Sequence, residues 1–197
     1  MTKCYWLEPT DRVRLWLRRY VSSTKATCTG SRGYHNAMAA FGEHPVRYGE
    51  EGPNGHKYLG SFEDMGPPPD DPRWPVSCEC GYVFAPEDER QVFERSVHRR
   101  ADTGAEMTIE EAPPGAMWDA WWYGEVKSAD GVQLMVKLPN GSEWWVDGPS
   151  HNDGVDGPGW TRTGTIPLVT ARPSIWAGKG RPGDWHGYLT DGVLAPC

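Results

Sequence analysis

The 197-residue chain lacks the segments that mark membrane or secreted proteins. It contains no run of about 18 apolar residues, and its first residues, Met1-Thr2-Lys3-Cys4-Tyr5, begin no apolar stretch of roughly seven residues. Its five cysteines are an odd number, so metal ligation or reduced thiols are expected rather than a disulfide framework. We therefore expect a reducing compartment and no membrane partner.

Motifs of common enzymes are also missing. The sequence has no Walker loop, nucleophile elbow, glycine-rich dinucleotide turn or His-Glu-x-x-His pair. Four polar residues near aromatic ones offer acid and base groups for a glycosidase, but their spacing defines no carboxylate pair; they are Asp119, Glu125, Asp184 and His186. We expect a non-enzymatic protein without catalytic residues and keep a small carbohydrate-active enzyme as an alternative.

Positive charge is scarce, with 20 Lys and Arg against 27 Asp and Glu and a net charge of −7. This balance argues against a protein whose whole surface follows nucleic acid, although local basic patches remain open. One such patch lies near the N-terminus and comprises Arg12, Arg14, Arg18 and Arg19. A solvated face is its ordinary interpretation, and a contact with phosphate or an acidic partner is the functional one.

The same N-terminal segment shows a helical pattern. Glu8-Pro9-Thr10-Asp11 supplies capping residues, and apolar side chains follow at helical spacing at Val13, Trp16, Leu17, Tyr20 and Val21. The pattern predicts an N-terminal amphipathic helix with an arginine-rich outer face. A second, short helix is predicted to begin at Pro86-Glu87-Asp88-Glu89, where acidic residues favour a helix N-terminus.

Residues 22–75 are rich in glycine, proline, histidine and acids, and 66–72 read Gly-Pro-Pro-Pro-Asp-Asp-Pro. Proline blocks helix interiors, so we predict an irregular coil that a metal ion pins. Hairpin signals follow at Asp102-Thr103-Gly104 and at Asn140-Gly141, and a last strand pair is predicted at 168–176 and 185–194.

These segments predict one α+β domain over residues 1–197. Its first part, 1–85, would hold the helix and the metal-stapled coil, and its second part, 86–197, would hold antiparallel β hairpins packed on a Trp-rich core. The chain is short of phenylalanine, with 4, but has 11 tryptophans and 8 tyrosines. Large rings must therefore fill much of the core.

The sharpest local feature is Cys78-Glu79-Cys80-Gly81, two thiols one residue apart before a glycine. Cys28 and His35 offer a second half-site across the coil, which would complete a Cys₃His tetrahedral zinc site. Four protein ligands leave no open position, so this zinc would be structural rather than catalytic. Ordinary thiols are the alternative, and the substitute ligands are Cys4, His44, His56 and Cys197.

Tryptophans supply the candidate partner-binding residues. Trp118, Trp121 and Trp122 lie in a cluster of four aromatics, and Trp144-Trp145 must point to opposite faces of a strand. Such rings stack on sugars, bases or proline-rich segments, or form the core itself. An exposed ring would indicate an interface.

Three stretches resemble uncharacterised proteins of tailed bacteriophages; they are residues 33–37, 80–84 and 112–122. The Cys-x-Cys spacing departs from the Cys-x-x-Cys form of that group. The C-terminal residues 134–139, 173–175 and 185–192 also resemble a bacterial family of unknown function found beside ubiquitin-like conjugation genes. Neither resemblance implies an activity.

The phage resemblance implies a virion structural or assembly component, from the capsid, neck or tail, that docks through a Trp-rich β surface. Its partners would be other virion proteins or further copies of the chain, with nucleic acid not expected among them. It would occupy the host cytoplasm during assembly and then the particle. The alternative is an intracellular zinc-stapled module that binds a host factor.

Overall fold

The computed structural model describes residues 1–22, 28–29, 33–52, 55–123, 128–148, 150–152, 155–157 and 159–197. These residues are nearly all β: strands make up 51% of the protein, and the described part contains no helix of seven or more residues. The predicted α+β class is therefore wrong. The described residues also form no helix long and apolar enough to cross a membrane.

The strands, in chain order, are β1 (Thr2–Lys3), β2 (Tyr5–Val21), β3 (His35–Pro45), β4 (Tyr48–Glu51), β5 (Lys57–Leu59), β6 (Glu89–Arg100), β7 (Glu106–Met107), β8 (Ala116–Asp119), β9 (Leu134–Lys137), β10 (Glu143–Trp145), β11 (Ser150–Asn152), β12 (Val155–Gly157), β13 (Thr161–Thr165), β14 (Leu168–Ala177), β15 (Trp185–Thr190) and β16 (Val193–Pro196). Single-turn 3-10 helices in the described part of the chain cover Glu63–Met65 and Trp121–Tyr123.

The strands belong to two compact units. The first comprises Met1–Thr10, Gly52–His56 and His98–Cys197, and the second comprises Asp11–Glu51 and Lys57–Val97. The long strands β2 and β6 contribute residues to both units. The single domain expected over 1–197 stays a prediction.

In the first unit, five antiparallel strands form a sheet in the order β1-β16-β15-β14-β13. β8, β9 and β10 form a second, antiparallel group, and the start of β2 runs parallel to β8 with Tyr5 opposite Ala116. The three hairpins predicted from the sequence are confirmed, because β6 pairs with β7, β9 with β10, and β14 with β15. The last predicted strand is broken by a turn at Asp191-Gly192 into β15 and β16.

In the second unit, β2 from Arg12 to Val21 pairs antiparallel with β3, and β6 lies on its other side. β4 and β5 form a separate two-stranded ribbon. The main core of this unit consists of side chains from β2, β6 and the intervening coil: Val13, Leu15, Leu17, Phe62, Trp74 and Val92. The irregular chain between β5 and β6 thus covers one face of the β2 sheet.

The predicted N-terminal helix is a strand. Its burial alternates at every second residue, so that Val13, Leu15 and Leu17 are completely buried and the residues between them are half-exposed. The helical interpretation left Leu15 on a polar face and placed Arg19 in solvent. In the strand, Arg19 is buried and its guanidinium donates to the carbonyl of Ala85 while lying over the ring of Phe84.

Two further local predictions are wrong for physical reasons. The residues after Pro86 begin no helix: the Asp88 carboxylate accepts the backbone N–H of Ala85 at 2.7 Å in a single turn, and from Glu89 the chain pairs with β2 as strand β6. The coil predicted over 22–75 contains the eleven-residue strand β3 and the β4–β5 ribbon. The proline-rich part remains irregular, and there Trp74 Nε1 donates to the carbonyl of Pro68 at 2.9 Å.

Candidate metal centre

A tight turn in the second unit presents Cys78 and Cys80. Ser77 and Val83 form an antiparallel bridge, and within it the backbone N–H of Cys78 donates to the carbonyl of Tyr82 at 2.9 Å. The chain reverses through Gly81, whose φ of +90° lies in the left-handed region that favours glycine. We call residues 77–83 the cysteine turn. Its geometry directs both thiols to one side.

The other half of the site comes from the start of β3 and the chain before it. His35 is the first residue of β3 and pairs with Val21 of β2, so the sheet fixes its backbone. The backbone N–H of Cys28 donates to the carbonyl of Gly33 at 3.3 Å, which holds the cysteine near the strand end. The four predicted ligands are thereby brought together.

The ligand atoms of Cys28, His35, Cys78 and Cys80 all lie within 4.8 Å of one another. The Sγ atoms of Cys28 and Cys78 are 3.9 Å apart, and the Sγ of Cys80 lies 3.2 Å from Nδ1 of His35. In a tetrahedral zinc site, bonds of about 2.0–2.3 Å separate neighbouring ligand atoms by about 3.5–3.8 Å. The cluster therefore has the dimensions of a single-metal site and could hold a metal ion.

Hydrogen bonds to the Cys78 sulfur favour its ionised form. The hydrogen bond from the backbone N–H of Cys80 lowers the pKa most, whereas burial raises it. Hydrogen bonds from the backbone of Asn36 and from the side chains of His35 and Cys80 lower it further. Together these contacts lower the pKa of Cys78 to about 6, well below the usual range of a thiol. Thiolate is the form that ligates metals, so the turn prepares Cys78 as a ligand.

A small apolar cluster surrounds the site. Val21, Phe84 and the ligands Cys28 and Cys78 are buried together, with Ala37 and Tyr82 packed against them. The ring of Tyr82 stacks on His35, with centroids 4.0 Å apart, and its hydroxyl donates to Asp88 at 3.3 Å. Cys80 is the one exposed ligand of the four. Tyr82 and Asn36 were not predicted from the sequence, and only their closeness to Cys80 and His35 along the chain could have indicated them.

The alternative ligands lie elsewhere or are not part of the cluster. Cys4 is buried in an apolar core of the first unit, and burial raises its pKa to about 12. Cys197 is exposed and lies outside the cluster. His56 stacks on Trp121 and His44 pairs with Val13 across the β2–β3 ladder. Among the described residues, the four-ligand cluster contains none of these side chains.

The five candidate partner-binding tryptophans occupy different environments in the first unit. Trp118 and Trp144 are buried, with 1% and 7% of their surface exposed, and belong to its hydrophobic cores. Trp121 and Trp145 are half-buried, whereas Trp122 is 43% exposed. The rings of Trp121 and Trp122 meet edge to face at 6.0 Å. Only the half-buried and exposed rings are placed to contact a partner.

The polar residues considered for glycosidase chemistry make structural contacts. Asp119 accepts the backbone N–H of Gln133 at 3.0 Å, and burial raises the pKa of its carboxyl. Asp184 accepts Trp176 Nε1 at 3.1 Å, and His186 stacks on the same indole. Glu125 lies outside the described residues. These contacts assemble no pair of carboxylates.

No family model matches the chain, and neither a curated protein nor a solved structure matches it. The resemblance to phage proteins therefore stays a prediction.

Proposed function

We propose that the protein is a non-enzymatic binding protein whose second unit is held together by a structural zinc ion. The observation that carries the proposal is the convergence of Cys28, His35, Cys78 and Cys80 within 4.8 Å. Three thiolates and one imidazole are the ligands that zinc prefers in structural sites. Four protein ligands also leave no coordination position for a water or substrate, which supports a structural role.

The zinc would connect two parts of the chain that lie far apart in the sequence. The cysteine turn and the start of β3 are 45 residues apart in the sequence, as measured from His35 to Cys80. The four-ligand site exists only in the folded chain, so the free energy of zinc binding stabilises the folded state and supplements the limited apolar packing of a small unit. The proposal thus explains how a segment rich in proline and glycine keeps a defined position.

Zinc content per chain tests the proposal. The native protein, purified without added metal, is expected to contain one zinc per chain, and Cys78→Ser and His35→Ala are expected to lose it. Cys197→Ser is the matched control and should keep it, because Cys197 is exposed outside the cluster. A native protein without zinc, or variants that keep it, would overturn the proposal.

A spectroscopic measurement covers the case in which these variants fail to fold. Cobalt(II) replaces zinc in the native chain, and three thiolates with one imidazole give strong tetrahedral d–d bands with sulfur-to-cobalt charge transfer. We expect both features at one equivalent of cobalt. Weak octahedral bands would show that the four side chains do not bind one metal ion together.

A finer proposal concerns the biological setting. The resemblance of residues 33–37, 80–84 and 112–122 to tailed-phage proteins supports a virion or assembly component that docks on other particle proteins. The exposed ring of Trp122 offers one apolar contact for such docking. Mass spectrometry of purified particles tests this setting, since absence of the chain from virions would remove it.

A further inference from the structure

A second surface of the molecule is used neither by the hydrophobic core nor by the metal centre. It is the outer face of β2 in the second unit, where every second side chain is half-exposed. We define the Arg/aromatic face by Arg12, Arg14, Trp16, Arg18 and Tyr20 of β2 and by Phe93 and Arg95 of β6. The residues between those of β2 point into the core, so the strand separates two chemically different faces.

The neighbouring strand β6 continues this face. Arg18 donates to Oε1 of Gln91 at 3.3 Å, and Tyr20 hydrogen-bonds the side chain of Glu89. The same alternation places Phe93 beside them, whereas Val92 lies in the core. The guanidinium of Arg95 lies 4.6 Å from the centre of the Phe93 ring. Rings and guanidinium groups therefore alternate across two strands.

The charge of the face is opposite to that of the whole chain. Arg12, Arg14, Arg18 and Arg95 supply four positive charges, against the carboxylates of Glu43 and Glu89. Glu43 accepts from Arg12 at 2.8 Å and from Arg14 at 2.9 Å, so two cations share this one anion. The face is cationic on a protein of net charge −7, and it complements an anionic ligand.

Arg18 at the centre of the face is held by neutral groups. Its guanidinium donates to Oδ1 of Asn36 at 2.7 Å and lies 4.6 Å from the centre of the Tyr20 ring. Among the described residues it forms no ion pair with a carboxylate. The amide and ring contacts fix its orientation while its charge remains available, as in a preorganised anion-binding arginine.

We propose that the Arg/aromatic face binds single-stranded nucleic acid. Phosphates would contact Arg18 and its neighbouring arginines, and unpaired bases would stack on Trp16, Tyr20 and Phe93. Side chains on one face of a strand recur about every 6.6–6.8 Å, which suits the repeat of an extended single strand. An acidic polypeptide would pair with the arginines but would make no specific contact with the rings between them. The rings therefore favour single-stranded nucleic acid over an acidic polypeptide as the ligand.

The inference does not depend on the zinc centre or on a phage setting. The net negative charge argues against nucleic acid binding over the whole protein surface. One face that binds a few nucleotides requires positive charge only at that face. The net negative charge of the rest of the protein would repel phosphates and so confine the nucleic acid strand to this face.

Fluorescence anisotropy of the full chain with a labelled 12-nucleotide oligo(dT) at low salt tests the proposal. We expect saturable binding that weakens at least tenfold in Arg18→Gln and in Trp16→Leu. Arg181→Gln and Trp176→Leu are matched controls on the first unit and should bind within twofold of the native chain. Binding should fall with salt at a log–log slope of about −1.4 to −2.1, for two or three released phosphate counterions.

Competition separates the alternatives. Abasic oligonucleotide and duplex DNA should compete at least tenfold less well than oligo(dT), because neither offers unstacked bases. Equal competition by abasic strand or polyglutamate would replace the proposal with a purely electrostatic contact for an acidic protein. Absence of binding at 50 mM salt, or equal loss in the control variants, would overturn it. Phe93→Leu provides the ring test should Trp16→Leu fail to fold, as judged by circular dichroism.

Discussion

The imidazole of His35 lies flat against the ring of Tyr82, with centroids 4.0 Å apart and planes inclined by 15°. Tyr82 follows Cys78 and Cys80 in the cysteine turn, so the turn that carries two ligands also sets the orientation of a third. Residues that orient a metal-bound histidine commonly affect metal affinity by about 10–100-fold. The stack therefore couples the two halves of the site.

Replacement of this ring should weaken zinc binding without removing a ligand. We expect Tyr82→Leu to lower zinc affinity about tenfold, because the imidazole loses the surface that holds it. Tyr82→Phe keeps the ring and loses only the hydroxyl contact with Asp88, so its affinity should stay close to that of the native chain. Competition with a chromophoric chelator measures both. Equal affinities in all three proteins would contradict the role of the stack.

The glycine of the cysteine turn gives a second prediction. A Cβ at Gly81 would meet no atom within 4 Å, so only the positive φ opposes a side chain there. Gly81→Ala should therefore lower the free energy of unfolding by about 1–2 kcal/mol. Gly81→Asn should cost less, since asparagine enters the left-handed region more readily. Chemical denaturation of the zinc-loaded variants measures their free energies of unfolding. A larger loss of stability in Gly81→Asn than in Gly81→Ala would contradict the prediction.

The metal ligands could be predicted from the sequence because cysteine and histidine are rare and their chemistry is specific. Two half-sites, Cys28 with His35 and Cys78 with Cys80, were sufficient to name the cluster that the structure brings together. The orienting contacts could not be predicted in this way. Tyr82 and the backbone of Asn36 act through positions that only the β3 pairing and the cysteine turn define.

The N-terminal strand shows why the fold class was wrong. Val13, Leu17 and Val21 satisfy both a helical and a two-residue period, so the apolar pattern alone does not decide between them. Leu15 and the buried Arg19 distinguish the two, since both belong inside only in a strand. The burial of Arg19 could be predicted only if its partners were known. These partners, Phe84 and Ala85, are more than 60 residues away in the sequence. The hairpin turns were predictable because glycine and asparagine mark them locally.

Thiol reactivity should distinguish three of the five cysteines: Cys197, Cys4 and Cys80. At pH 8, iodoacetamide should modify Cys197 rapidly in the native zinc-loaded chain, because this thiol is exposed. Cys4 should react only after unfolding, since burial raises its pKa to about 12 and keeps it protonated. Removal of zinc with a chelator should make Cys80, the exposed ligand, reactive toward iodoacetamide as well. Mass spectrometry of peptides identifies each site, and Cys80 modification at the same rate with and without chelator would contradict metal ligation.

Arg162 in the first unit joins two carboxylates of unequal exposure. Its guanidinium lies 2.7 Å from Asp147, whose side chain is 8% exposed, and 2.6 Å from Asp130, which is 43% exposed. Arg162→Met leaves Asp147 as a buried charge without its cation and should cost about 3–5 kcal/mol. Asp130→Asn should cost about 1 kcal/mol or less, because solvent screens this pair. Arg181→Met is the control for loss of an exposed arginine, and denaturant titration compares all three.

The same ion pair predicts a difference in acid stability. Hydrogen bonds from Arg162 make the largest contribution to lowering the pKa of Asp130, to about 2 in the folded chain, against about 3.9 in an unfolded one. Between these values the unfolded chain binds more protons, so the contribution is complete above about pH 4 and is lost as the pH falls toward 2. Hydrogen bonds from Arg73 and Arg100 also lower the pKa values of Asp71 and Asp102, and these contributions cancel when the native chain is compared with Arg162→Met. The stability difference between these two proteins should therefore shrink on acidification from pH 5 to pH 2, measured as the shift between their urea midpoints. A difference that stays constant over this range would show that Asp130 does not depend on Arg162 for its ionisation.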